Sequence, residues 1–157
     1  MIIELAKESD AKSIASVIER STRFSFPAFY PEGSIEYVVS SLNENGVLER
    51  MKWTRFYVAK IDEKIVGCGA IGAYWGSETE SSLFNIFVDP DFQKQGIGRK
   101  IVETLENDEV FGRRAKRIEI PASMVGLPFY IKLGYKHKNG ELVYEDGHFA
   151  LEKFFDR

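Results

Sequence analysis

The stretch Leu83-Phe84-Asn85-Ile86-Phe87-Val88-Asp89-Pro90-Asp91-Phe92-Gln93-Lys94-Gln95-Gly96-Ile97-Gly98-Arg99 decides how this chain is read. Leu83 to Val88 has strand character, and Asp89-Pro90 stops it because proline has no N–H to offer a ladder. Two glycines then lead into Ile97, Ile101, Val102 and Leu105, which share one face of a helix beginning after Gly96. A strand, a glycine-bearing turn and a helix in that order make an anion site. Small residues let an oxyanion approach the backbone, and the first-turn N–H groups have no partner of their own and carry about half a positive charge. Lys94, Arg99 and Lys100 add charge at the rim. No Lys-Ser or Lys-Thr follows the second glycine, so this is not the loop of a nucleotide-hydrolysing enzyme.

Outward from that stretch, Arg117 to Ile120 reads as a strand after the helix, giving a strand, crossover helix and strand unit and hence a parallel pair. Upstream, Thr54 to Ile61 and Lys64 to Tyr74 form a hairpin around Asp62-Glu63, and the Leu83 strand extends it into an antiparallel meander. Ile2 to Leu5 is a short strand. Ser9 is expected to cap a first helix with Ile14, Val17 and Ile18 on one face, and Ser34 to start a second that Asn45-Gly46 ends or interrupts. Downstream, Pro128 fits the first turn of a shorter helix, Gly134 supplies a left-handed cap, and Tyr135 to His137 and His148 to Phe154 are strands. The sum is an α/β (α+β) fold, with helices on both faces of a mixed sheet and residues 1–157 in a single domain.

The 157 residues are 44 % hydrophobic and 29 % charged, which excludes a disordered tail or a coiled coil. A formal charge of −3 gives no general attraction to nucleic acid or to an anionic membrane surface, so an anion must be held locally. No apolar run is long enough to span a bilayer, and Met1-Ile2-Ile3-Glu4 lacks the basic start and apolar stretch of a secretory signal, so the cytoplasm is the expected compartment. Cys68 stands alone, and neither His137 nor His148 lies at a zinc-type spacing, so no metal is expected. Gly67-Cys68-Gly69-Ala70-Ile71-Gly72 has the spacing of a dinucleotide fingerprint, but no helix opens inside it. These glycines read as strand positions that allow a bulge or a close-packed neighbour.

Gln93, Gly96 and Gly98 fit the acetyl-coenzyme A signature of the GCN5-related N-acetyltransferase (GNAT) superfamily, and Phe87-Val88-Asp89-Pro90 resembles its strand end and turn. Phe129 to Tyr135, within Ser123 to Tyr135, resembles a second family motif in the right order. The resemblance implies a mostly antiparallel central sheet of six to seven strands with about four helices. It also implies an N-acetyltransferase that moves an acetyl group from acetyl-CoA to a primary amine of a small molecule or peptide by direct attack, without a metal. Ile86, Phe87 and Val88 would offer backbone to the pantetheine arm where two strands splay. Gln93, Lys94, Gln95, Gly96, Ile97, Gly98 and Arg99 would cradle the diphosphate, Ser123 would bond a pantetheine amide, and Tyr130 would be the general acid.

The residues depart from that pattern where several members carry a base glutamate: Ser82 stands there. Glu80, on the same strand face, and Glu119, on the next strand, are the candidate bases, either acting through water. The resemblance implies that the segment between the first two helices, with Phe24, Phe26, Phe29 and Tyr30, lines the acceptor site, and Tyr74 and Trp75 at the end of the hairpin are a second candidate wall. A non-catalytic acyl-CoA binding protein is the alternative reading. A homodimer is compatible with the sequence and not required by it.

Overall fold

The computed structural model describes residues 1–157. Strands β1 (Ile2–Leu5), β2 (Arg55–Ile61), β3 (Lys64–Ala73), β4 (Glu80–Val88), β5 (Arg117–Ala122), β6 (Lys136–His137), β7 (Tyr144–Glu145) and β8 (His148–Phe154) join in one sheet. Its order is β1-β2-β3-β4-β5-β8-β6, with β7 on β8. Only β4 and β5 run parallel. Asp62 and Glu63 both take positive φ, 49° and 67°, as the two-residue β2–β3 turn requires to match strand twist.

Helices α1 (Ala11–Ser25), α2 (Glu32–Ser41) and α3 (Glu44–Met51) lie on one face, while α4 (Ile97–Glu106) and α5 (Leu127–Lys132) lie on the other. Ile14, Val17 and Ile18 of α1 pack on Phe56, Val58, Cys68 and Ala70. Ile97, Ile101, Val102 and Leu105 of α4 pack on Tyr57, Ala59, Val66 and Ile71. The strand glycines set how closely α4 approaches. A Cβ on Gly67 would lie 3.0 Å from Ile101 Cδ1, and one on Gly69 would lie 2.7 Å from Ile101 Cγ2. The fingerprint-like spacing is thus a packing feature, as the missing helix had indicated.

Several expectations need correction. Ser9 is not a cap; it lies in a 3₁₀ turn, Glu8–Asp10, where the Asp10 carboxylate accepts the Lys7 N–H at 2.9 Å. The second helix begins at Glu32, directly after Pro31, rather than at Ser34. Asn45-Gly46 does not end a helix but sits in the first turn of α3, because Asn43 Oδ1 accepts the Gly46 N–H at 2.9 Å and caps it. There are accordingly five helices rather than four. The strands number eight rather than six or seven, because the two-residue β6 and β7 both join the sheet.

Candidate active site

Pairing between β4 and β5 runs only from Glu80 opposite Arg117 to Ser82 opposite Glu119. Past that point the two strands part. The cause lies in β4, where Ala70 faces Phe84 and Cys68 faces Phe87, so that Gly69 faces both Asn85 and Ile86. This is a β-bulge, with Asn85 held at φ 55°. Asparagine tolerates that region better than other residues with a Cβ. On the β3 side the Asp89 N–H goes to Val66 O at 2.8 Å, so the alternation of the ladder turns the main-chain groups of Val88 toward the gap. There Gln93 Nε2 donates to Val88 O at 3.0 Å. Phe87, between Ile86 and Val88, turns its own main chain toward β3.

Beyond Gln93 the backbone becomes a run of unused donors. Lys94 has φ 61° and Gly96 has φ 82°, and a Cβ on Gly96 would meet nothing within 4 Å. No N–H from Lys94 to Arg99 has a partner within the chain; the first that does is Lys100, which donates to Gly96 O at 3.2 Å. Orphan amides at a helix start suit a diphosphate. Gly98 has a second reason to be small, since its Cβ would lie 3.1 Å from Phe129 Cζ on α5.

Tyr130 is buried on α5 beside Phe129 and Tyr135, with ring centroids 5.1 and 6.3 Å away. Burial raises its phenol well above the ordinary value, and the nearby Cys68 thiol adds to the rise. Tyr130 therefore stays protonated across the working pH range. Burial also pushes the Cys68 thiol up to about 12, which removes it as a nucleophile. Ser123 caps the turn into α5: its Oγ accepts the Gly126 N–H at 3.0 Å, and its carbonyl accepts the Leu127 N–H at 3.0 Å.

Both candidate bases belong to one charge network on the α1 face. Arg117 donates to Glu80 Oε1 at 2.8 Å, to Glu152 Oε1 at 2.7 Å and to Glu119. Lys138 pairs with Glu119 at 3.0 Å and donates to the Tyr74 hydroxyl at 3.1 Å. Arg117 and Lys138 also stack over the Tyr74 ring, 5.1 and 5.4 Å from its centroid. Glu119 stands at the last paired register before the splay and Glu80 lies two residues further back.

The candidate acceptor walls do not come together as one box. Tyr30 stacks on Phe26 at 4.9 Å and ties three segments: its hydroxyl donates to Gly147 O at 2.6 Å and accepts the Met124 N–H at 2.8 Å. Phe24, Phe29 and Trp75 are 68 %, 55 % and 90 % exposed. Sequence reasoning missed the Asn85 bulge, whose signal is a lone Asn inside an apolar run. It also missed the Arg117 network and the pairing of Arg20 with Asp89, which join residues far apart in the chain and leave no local pattern.

A glycine-turned run of amides at a helix start, beside a splayed parallel pair with a buried tyrosine behind it, is the layout of an acyltransferase fold. Residues 52–137 match the model of the acetyltransferase (GNAT) domain, and the chain belongs to that family. A GCN5-related N-acetyltransferase from Rhodopseudomonas palustris superposes with a TM-score of 0.79 at 19 % identity, over 98 % of this chain and 95 % of that one. The PaiA N-acetyltransferase from Thermoplasma acidophilum, solved with coenzyme A, superposes with a TM-score of 0.74 at 16 % identity, over 99 % and 100 % of the two chains. In sequence, an uncharacterized N-acetyltransferase of Methanocaldococcus jannaschii is 33 % identical over 89 residues, 53 % of this chain and 39 % of that protein. The Escherichia coli ribosomal protein bS18-alanine N-acetyltransferase is 41 % identical over 58 residues, 36 % of this chain and 39 % of that protein. The matched stretches thus span well under half of either curated relative.

Proposed function

We propose that residues 1–157 form one acetyl-CoA-dependent N-acetyltransferase domain that acetylates a primary amine by direct attack. The observation that carries this reading is the unbroken run of partnerless N–H groups from Lys94 to Arg99 beside the open edge of β4. Acetyl-CoA brings the activated acetyl group as a thioester. The amides of Gln95 to Arg99 hold its diphosphate, with Lys94 and the Gln93-braced turn at the rim. Ile86 and Val88 offer main-chain groups to the pantetheine arm as a neighbouring strand would. Ser123, whose oxygen is used in its cap, retains its O–H for a pantetheine carbonyl.

Tyr130 holds the proton that the departing sulfur takes. Glu80 receives, through water, the proton that the acceptor nitrogen loses; Glu119 is the other carboxylate in reach of the same face. Tyr130 is a stronger proton holder than a free phenol. Its contribution is therefore hydrogen-bond stabilisation of negative charge on sulfur more than early transfer. Phe24, Phe29, Tyr30 and Trp75 are assigned to the acceptor side, where Tyr30 acts by holding loops together. The proposed compartment is the cytoplasm, which suits a chain with one cysteine and so no internal disulfide; no helix is long and apolar enough to cross a membrane.

A non-catalytic acyl-CoA binding role is the second reading, favoured by one observation: both Glu80 and Glu119 are tied to Arg117. A thiol-release assay with acetyl-CoA separates the two. Its panel holds small amines, polyamines and peptides with free N-termini, including one beginning with alanine because a relative is named for that acceptor. Turnover of any member supports the enzyme, and donor binding without turnover supports the second reading.

A further inference from the structure

Arg20 lies on α1, on the face of the sheet opposite α4, yet its guanidinium reaches the turn that leads from β4 into the run of partnerless amides. Its Nε and Nη2 donate to the two carboxylate oxygens of Asp89 at 3.2 and 3.3 Å, and Nη2 also donates to Asp91 at 3.1 Å. Asp89 is 2 % exposed. Its Oδ1 accepts the Asp91 N–H at 2.9 Å and its carbonyl accepts the Phe92 N–H at 2.9 Å, which together shape the turn Pro90–Phe92. Burial works against the Asp89 carboxylate. The Arg20 and Asp91 hydrogen bonds outweigh it and leave the group below its ordinary value.

Attachment of α1 does not need this pair, because Ile14, Val17 and Ile18 already seat the helix on the sheet. What the pair adds is direction. Two parallel hydrogen bonds from a planar guanidinium fix the plane of the Asp89 carboxylate, and that carboxylate fixes the next main-chain amide. Resting on the acetyl-CoA reading above, we propose that Arg20 is a positioning residue for donor binding. Acting through Asp89, it sets the orientation of the N–H groups of Gln95 to Arg99, and so the affinity for a diphosphate.

The test is calorimetric titration of the full chain with coenzyme A, paired with steady-state kinetics and thermal melting. Arg20→Ala is expected to raise Kd and the donor KM about tenfold, short of the about 100-fold that an ångström of misplacement can cost a reaction, while kcat at saturating donor stays near wild type. Arg20→Lys keeps the charge but reaches one oxygen at a time, so it is expected to recover only part of the affinity. Combining Arg20→Ala with Asp89→Asn is expected to cost no more than Asp89→Asn alone, since both act by one route. A Kd equal to wild type in Arg20→Ala and Arg20→Lys, each melting as a folded protein, overturns the proposal. So do fully additive losses in the double variant, or a fall in kcat with donor KM unchanged. Failure of the wild-type chain to bind coenzyme A overturns the acetyl-CoA reading instead.

Discussion

The two halves of the candidate site are built from different materials. The half proposed to hold the donor is main chain: partnerless amides from Lys94 to Arg99, the gap-facing edge of β4 and a bulge at Asn85. The half proposed to face the acceptor is side chain: Arg117, Lys138, Tyr74 and three glutamates form the network that holds both candidate bases, and Tyr30 laces the loops beside it. A site made of backbone depends on where glycine and proline fall, which is local and readable. A site made of side chains drawn from distant segments leaves no such trace.

The sharpest way to break this contrast is Gly98→Glu. Its Cβ enters contact with Phe129 and its carboxylate adds a negative charge beside the partnerless amides, so coenzyme A affinity is expected to fall by at least about 100-fold in titration calorimetry. Gly98→Ala carries the steric part alone and should cost much less; equal losses would assign the effect to α5 packing instead. Next comes Tyr130→Phe, expected to lower kcat about 100-fold at unchanged donor affinity, which single-turnover kinetics checks. Because burial raises that phenol, its titration should produce no alkaline fall in rate up to about pH 10. Glu80→Gln is expected to lower kcat/KM about tenfold, while a larger loss in Glu119→Gln would move the base to the residue nearer the splay.

A smaller effect appears in stability at low pH. The folded Asp89 carboxyl lies below its ordinary value of 3.8, so it stabilises the fold above that pH, and the contribution is lost as pH falls through the lower folded value. The gap in urea midpoint between wild type and Asp89→Asn should be constant near neutrality and close below about pH 4; a gap that widens on acidification would contradict the assignment. Smallest of all is Trp75→Ala. A side chain this exposed should change stability by less than about 0.5 kcal/mol in thermal melts, leaving any effect to the acceptor KM.

Legibility follows the same division. The hairpin, the β4–α4–β5 unit and the Pro128 helix were readable because each carries a period or a punctuating residue, and the family motifs fell on those elements. The third helix was not readable, because Asn43 caps it within a segment whose Asn-Gly pair signals a turn. Two-residue strands such as β7 have no period to detect. Glu80 can be picked out in the sequence as a candidate base, but its tie to Arg117 cannot, since the two meet only through strand register. Tyr30 reads in sequence as an aromatic wall, whereas its hydroxyl geometry makes it a knot between loops.

Gly67 and Gly69 give the molecule a datum. With bare strand beneath it, α4 rests at a height fixed by Ile101 touching main chain, and the mouth of that helix inherits the setting. A methyl group introduced at Gly69 would act as a shim. It would push Ile101 and the helix that carries it away from the strand, so the proposed cradle is calibrated from below its own floor.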